Sequence, residues 1–554
     1  MAKAKLWIEK AADMTERHAQ KHRPDQGSIV CASGISPSGP IHIGNLREEM
    51  TVHLVAEELR RRGHTVDHIH SWDDFDRLRK IPASVPKEFE KYIGQPLAEI
   101  PDPFDEHPSY ADRFISDFEQ SMEQLGVEMR SIRQAKAYRN GAYVEQIKLA
   151  LEKRAVIFDC LVQYQTEGRH EESLEARREK YYPFQIYCHA CNRDSTVISN
   201  YQADTATLSY ACTTCKHEAT FSLNDECPGK LVWKADWPMR WHFEKVAFEP
   251  GGDDHGTPGS SYTVGKEIIR DVYDDVAPCF IKYAFVGMGG ATKISSSSGG
   301  GATPADALRV LEPAMLRWLY VRRDAGQQFN VEFGDELIRA YDEWDKLSTQ
   351  VANETASEKQ IKIYNTAKHT ATAEVRTSDT PVSFRLLSSV ADIANGDLKQ
   401  ILRIVGDHLD DHEIDKDSLE PRLSCALNWL EEYVPTDQRT HVQASFDQTT
   451  WDQLEEQQKE CVSRFIEMAD TQWDLKNLTS LVYGVPKLSL GFELDSPPND
   501  DIKTAQRSFF VAMYQLMVDS ETGPRLPTLL LSLGQERVLG LLTPPATPSA
   551  ANLG

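Results

Sequence analysis

The segment that constrains this chain most is a β-branched run stopping at Ser33-Gly34, then Ile35-Ser36-Pro37-Ser38-Gly39-Pro40 and His42-Ile43-Gly44-Asn45. Gly, Pro and Ser end a strand in a turn. Beyond Gly44, the spacing of Leu46, Met50, Leu54, Val55 and Leu59 predicts an amphipathic helix. A strand feeding a glycine-containing loop and then a helix N-terminus gathers backbone N–H donors, an arrangement suited to phosphate. His42 and Asn45 add side-chain donors there. Alone, the segment could be a punctuated surface turn. Far down the chain, Lys293-Ile294-Ser295-Ser296-Ser297-Ser298-Gly299 places one lysine and four hydroxyls in a glycine-rich stretch. It lacks the Gly-Lys-Ser/Thr ending of a P-loop, which disfavours an ordinary ATPase fold. Together the two segments point to nucleotide chemistry.

The cysteines carry an independent signal. Cys188-x2-Cys191 and Cys212-x2-Cys215, twenty residues apart, form two knuckles that would complete a tetrahedral zinc site. Four thiolates leave no open position for water, so this Zn2+ would be structural. His217 and Cys227 are reserves nearby. The ten cysteines are irregularly spaced, unlike a secreted disulfide framework. The N-terminus lacks the apolar core of a signal peptide, which favours the cytoplasm. No run reaches the roughly 18 apolar residues of a membrane span. Net charge −24 disfavours indiscriminate polyanion binding and leaves room for a selective surface. The basic stretches Arg60-Arg61-Arg62, Arg177-Arg178 and Arg317 with Arg322-Arg323 read as solvated helix faces.

At 554 residues the chain is long enough for three or four domains. Residues 1–89 read as the first half of an α/β core, with a βα unit over about 24–64 and a strand over 65–72. Residues 90–230 interrupt it and carry the cysteine cluster, a ribbon over about 186–218. The core resumes over 231–288, with a strand over 280–286, and the lysine-bearing region follows over 289–345. Residues 346–542 read as helical: Leu398, Ile401, Leu402 and Val405 keep helical spacing, as do Phe509, Phe510, Met513, Leu516 and Met517. Such stripes are core by default. Residues 543–554, rich in Pro, Ala and Thr, read as a disordered tail.

The two glycine-rich segments resemble the His-Ile-Gly-His and Lys-Met-Ser-Lys-Ser signatures of class I aminoacyl-tRNA synthetases. More narrowly, Ser71-Trp72-Asp73-Asp74-Phe75-Asp76-Arg77-Leu78-Arg79-Lys80-Ile81-Pro82, Asp236-Trp237-Pro238-Met239-Arg240-Trp241 and Phe248-Glu249-Pro250-Gly251-Gly252-Asp253-Asp254-His255 resemble the class I lysyl-tRNA synthetases. So do Gly523-Pro524-Arg525-Leu526 and Leu533-Gly534-Gln535-Glu536, so the resemblance runs from about residue 20 to Leu542. It implies a Rossmann-type catalytic domain with a zinc-bearing insertion, a stem-contact region over 289–345 and a helical anticodon-binding region over 346–542. It implies activation of L-lysine by ATP with Mg2+ and transfer to the terminal adenosine of tRNA-Lys, by a protein expected to be monomeric. His42, Gly44, Asn45, Lys293, Ser295 and Ser296 would meet ATP; His42, Asn45 and Lys293 would be catalytic. Gly34 and Ser36 would lie beside the amino acid's α-amino group, with Trp233 or Trp237, His255 and Tyr283 as further walls. Asp73, Asp74 or Asp254 would supply a carboxylate for its ammonium.

Two departures matter. A segment around Asp102 and His107, which resembles a second family zinc site, lacks the cysteine, so local hydrogen bonds are expected there instead. The family's second loop lysine falls at Ser296 or Ser298. A serine brings no charge, a loss of about 2–4 kcal/mol or about 30- to 1000-fold in rate. The alternatives are a non-catalytic tRNA-binding paralogue and an enzyme activating another amino acid or loading another acceptor.

Overall fold

The structure, a computed structural model, describes residues 5–164, 172–288, 302–378, 382–409, 413–469 and 473–545. The lysine-bearing segment 293–299 and residues 546–554 of the expected tail lie outside them. Two compact units divide the chain: Met1–Phe333 with Lys346–Thr377, and Gly334–Asp345 with Ser378–Gly554.

In the first unit, helix α1 (Trp7–His22) precedes strand β1 (Ile29–Ile35), helix α2 (Ile43–Arg61) and strand β2 (Val66–Trp72). β1 and β2 are parallel, with Ile29 beside Val66 and Gly34 beside Ser71. A third parallel strand, β3 (Arg130–Arg133), extends the sheet from within the stretch expected to interrupt it. Its sequence, Arg-Ser-Ile-Arg, is polar and half-exposed, so an edge strand here carries no apolar signal. Across β1 the ladder continues through bridges from Cys31 to Phe248 and from Phe248 to Cys279. The strand expected over 280–286 is two short ones: Lys282–Tyr283 pairs with Gly251–Gly252, and Val286–Met288 with Phe329–Val331. Between them the Ala284 N–H donates to Ala325 O, where the chain changes partner.

α2 differs from an amphipathic helix. The expected face is buried, but so are Arg47, Glu49, Val52, His53, Ala56 and Glu57 around it. Glu49 ties it to both strands. Its carboxylate accepts from Ser33 Oγ of β1 at 2.6 Å and meets His68 Nε2 at 2.9 Å and His70 Nδ1 at 2.8 Å on β2. Burial opposes its ionisation, but the two histidines outweigh that and hold its pKa well below the ordinary carboxylate value.

Arg317 corrects the expectation of a solvated face. It is completely buried on helix Pro313–Val321 and donates to Leu125 O, Thr366 O and Ala367 O and meets His53 Nε2. Burial lowers its pKa to about 10. The 60–62 run is neutralised locally: Arg60 pairs with Glu57, Arg61 with Glu58, and Arg62 with Asp13, Glu16 and Glu58.

The cysteine region forms an antiparallel sheet of Thr196–Gln202, Thr207–Cys212 and Glu218–Ser222, with Phe184–Ile186 paired to Gly229–Leu231 at its base. In the second unit the helices Leu398–Leu409 and Asp500–Val518 follow the predicted stripes. Ile401, Val405, Phe509, Met513, Leu516 and Met517 are buried, while Leu398 is exposed.

Removing one partner of a buried charged pair costs about 3–5 kcal/mol, so Glu49→Gln should destabilise the protein measurably in urea at pH 7. Glu49's pKa is depressed in the fold, so its contribution is present above the unfolded value, about 4.3, and fades as pH falls through the folded one. The gap to the variant should therefore narrow in urea titrations as pH drops below about 4; a gap independent of pH would contradict this.

Candidate active site at the carboxyl ends of the parallel strands

His42 is the N-cap of α2. Its Nδ1 accepts the Gly44 N–H at 3.1 Å, which in a neutral ring leaves Nε2–H as the outward donor. Position 44 requires glycine, since a Cβ would stand 2.8 Å from the His42 ring and 3.3 Å from Val286 O. Asn45 follows on the first turn, half-buried. Lys293, Ser295 and Ser296 fall outside the described residues.

One turn into α2, Glu48 gathers two of the expected pocket residues. The Gly34 N–H donates to Oε1 at 2.9 Å and the Tyr283 hydroxyl to Oε2 at 2.7 Å. Burial pushes this carboxyl up to about 8, against those two hydrogen bonds and with help from Glu249 and Glu49. Ser36 lies just past β1, half-buried.

The aromatic residues form a row. Trp233 and Trp237, one turn apart on helix Trp233–Glu244, stack at 5.2 Å, and His255 stands 5.6 Å from Trp237. Trp233 is 37% exposed and Trp237 only 5%, so Trp237 is the one built into the wall. Its Nε1 and that of Trp241 donate to the two oxygens of Glu249 at 2.8 and 2.6 Å. Burial pushes Glu249 up to about 7, against those indole bonds.

Of the three candidate carboxylates, two have internal partners. Asp73 pairs with Arg240 at 2.9 Å; Asp74 pairs with Arg133 at 2.7 Å and accepts the Ala135 N–H. Asp254 is exposed. Sequence reasoning missed Glu48 and Glu249. Neighbouring helix residues point about 100° apart, so the acidic pair Glu48-Glu49 after the His-Ile-Gly-Asn motif serves two places, the pocket and the sheet. That pair was the available signal.

A buried ion network fixes the aromatic wall. Arg240 bridges Asp73 and Asp236, Lys230 bridges Asp76 and Asp236, and the Tyr138 hydroxyl donates to Asp236. Arg240 also lies 5.4 Å over the Trp233 ring. The network joins the tryptophan helix to the segment leaving β2.

The four predicted cysteines come together. Their Sγ atoms lie within 4.8 Å of one another, with Cys188 to Cys215 at 3.6 Å and Cys191 to Cys212 at 3.7 Å. A tetrahedron with metal–sulfur bonds of about 2.3 Å has edges of about 3.8 Å, so the four thiolates fit one thiophilic ion. Among the described residues no other such group occurs. Cys227 instead donates to Gly229 O. Around Asp102 the expected local bonds are present: it accepts the Glu106 and His107 N–H groups and pairs with Arg113, which hold it at about 2 against burial. The ribbon is fastened to 75–95: the Asp194 N–H donates to Gly94 O, Arg193 to Lys91 O and the Tyr187 hydroxyl to Phe75 O.

The purified protein should carry one tightly held thiophilic metal ion per chain. Elemental analysis should find it lost from Cys191→Ser with Cys212→Ser, and limited proteolysis should then cut first within 186–218; full metal content in the double variant would contradict the assignment.

The model of the family described as tRNA synthetases class I (K) matches residues 5–370. A lysine–tRNA ligase of Streptomyces coelicolor is 42% identical, over 97% of this chain and 98% of its own length. Those of Pyrococcus horikoshii and Borreliella burgdorferi are 31% and 30% identical, over 96% and 95% of this chain and 98% of each relative. The match takes in the capped helix, the strand ends, the aromatic wall and the cysteine ribbon alike, and the chain belongs to the class I (K) tRNA synthetase family.

Proposed function

We propose that this chain is a lysine–tRNA ligase, and that the half-buried carboxyl of Glu48, held by the Gly34 N–H and the Tyr283 hydroxyl, is the group that selects a cationic amino acid. A lysine ammonium placed against Glu48 lowers the pKa of its carboxyl, which releases its proton to solvent and forms a shielded ion pair, while the methylene stem lies along Trp237 and His255. The lysine carboxylate attacks the α-phosphorus of ATP; the bond to the β-phosphate oxygen breaks and pyrophosphate leaves. The 2′-hydroxyl of the terminal tRNA adenosine then attacks the acyl carbon, releasing AMP.

His42, through Nε2–H, and the N–H groups opening α2 donate to the phosphate oxygens, and Gly44 lets the adenine approach the backbone. Asn45 adds a donor on the first turn; Lys293, with Ser295 and Ser296, meets the β- and γ-phosphates. Mg2+ carried by ATP supplies the remaining charge neutralisation. Cys188, Cys191, Cys212 and Cys215 would hold Zn2+ as a structural ion, bracing the segment that runs on from Asp73 and Asp74. The helical C-terminal region receives the anticodon of tRNA-Lys, and the protein works as a cytoplasmic monomer. No helix among the described residues is long and apolar enough to cross a membrane. Serine at 296 and 298, which brings no charge to the phosphates, favours a slow enzyme.

Lysine-dependent ATP–pyrophosphate exchange, with and without tRNA, tests this reading. Exchange should occur and fall about 30- to 1000-fold in Lys293→Ala; no exchange by folded protein that still binds tRNA would favour the non-catalytic paralogue. Glu48 bears on specificity. Below about 8 it is protonated before lysine arrives, so the KM for lysine should fall as pH rises from 6 to 8 and level off above. Glu48→Gln should raise that KM at least tenfold and flatten its pH dependence, and an unchanged profile would remove Glu48 from the pocket.

A further inference from the structure

A cleft of about 590 Å³ lies between α1 and helix Ser261–Tyr273, lined by the Tyr262 ring that packs against Trp237 and Trp241. That is the size of a small-ligand site. Its composition is unusual for a chain of net charge −24. Arg17 reaches it from α1, and Lys266 and Arg270, one turn apart, from the opposite helix. Arg270 is shared with Asp271 on the surface. Arg17 and Lys266 have no ion-pair partner among the described residues; Lys266 lies 5.6 Å over the Tyr262 ring. The only carboxylate in the lining, Asp275, is already matched by Arg23 at 2.7 Å, His242 at 2.8 Å and Lys245 at 3.0 Å, so it does not cancel the cleft's positive charge.

One side of the cleft is an aromatic stack, open to a planar ligand only on its outer face. Tyr262 and Phe280 stack at 3.9 Å and 15°, with Pro278 beside them. Met14 and Val276 form the rim and are 41% and 39% exposed, apolar surface without cover. His18 Nε2 is buried in the cleft wall without a hydrogen-bond partner. Unpaired cations, the outer face of an aromatic stack and an unsatisfied imidazole nitrogen match one kind of molecule: a phosphate attached to a flat heterocycle.

We infer that this cleft is a second nucleotide site, in which Arg17 and Lys266 hold a phosphate and the base lies against the outer face of the Tyr262–Phe280 stack. It stands apart from the catalytic site yet shares a wall with it. Tyr262 is 5.6 Å from Trp241 and 6.4 Å from Trp237, and Phe280 packs where a Cβ at Gly251 would come within 2.7 Å. An occupant is therefore felt through the rings that position Trp237. The nucleotide is either free or an unpaired residue of a bound RNA, since both present the same phosphate and base.

The test uses the full-length protein and the double variant Arg17→Glu with Lys266→Glu. Lys10→Glu with Lys180→Glu, both exposed and outside the cleft, is the charge-matched control, and Arg17→Lys with Lys266→Arg keeps the charge. Equilibrium dialysis with labelled AMP counts bound equivalents, and filter binding with total tRNA gives affinity against salt. For a free nucleotide, the cleft variant loses one equivalent of AMP while the control and the charge-keeping variant retain it. For an RNA nucleotide, AMP counts stay equal but tRNA binding weakens at least tenfold, with a salt slope shallower by about 0.7. If neither AMP stoichiometry nor tRNA affinity separates the cleft variant from its control, the inference is overturned. Lysine-dependent exchange in the same preparations reports independently on the ligase reading.

Discussion

α2 is buried on nearly every side, and polar groups in such a helix must each find a partner or destabilise it. Its first turns meet this demand with successive residues facing different elements. Arg47 donates to Asp324 O and Ala325 O and lies over the Phe329 ring at 5.5 Å. Glu48 faces Gly34 and Tyr283, Glu49 faces both strands, and His53 meets the buried Arg317. Rotating or sliding the helix would break all of these together. That rigidity keeps the capped N-terminus and His42 Nε2–H aimed past the strand ends, where a phosphate would sit. The cap itself depends on Gly44, because a side chain there would collide with the imidazole that accepts its N–H.

Much of this was legible in the chain, and the reasons differ from element to element. β1, α2 and β2 announce themselves because apolar periodicity and a glycine-rich turn coincide, and the cysteine knuckles because metal ligation fixes ligand spacing. Gly34 and Tyr283 were identified from resemblance, and the structure brings them onto one carboxylate. That carboxylate was not seen, because an acid in a helix reads as solvent-facing until the helix proves to be surrounded. Arg317 was misread for the same reason: carbonyls from 125, 366 and 367 satisfy it, and no sequence pattern records carbonyls converging from remote segments. β3 and the divided strand near 282–288 escaped notice because edge and two-residue strands bury too little to imprint a pattern.

The same accounting explains how an acidic chain is compatible with polyanionic partners. Many of its cations are spent internally. Arg240 and Lys230 lock the tryptophan helix, Arg62 joins α2 to α1, and Arg422 pairs with Asp345 within the second unit. With these neutralised, the field outside is dominated by acid and repels phosphate except where cations stay unpaired. Binding of nucleic acid or nucleotide is thereby confined to few places, and selectivity of position comes from the negative background as much as from the positive site.

As the proposed selecting group, Glu48 would also set the terms on which amino acids are told apart. With its carboxyl near 8, ionising it at pH 7 costs about 1.4 kcal/mol, a small charge against what a shielded ammonium returns. A neutral amino acid of similar length leaves the carboxyl protonated, so it gains nothing electrostatically but also strands no buried charge. Discrimination against it rests on the ion pair it fails to form rather than on a penalty it incurs. Had Glu48 been fully ionised in the unliganded site, a neutral competitor would have buried an unpaired carboxylate, and rejection would have been far stronger. The elevated pKa therefore trades some selectivity for a pocket that is stable without its substrate. It places the rest of the burden on the length and shape of the pocket.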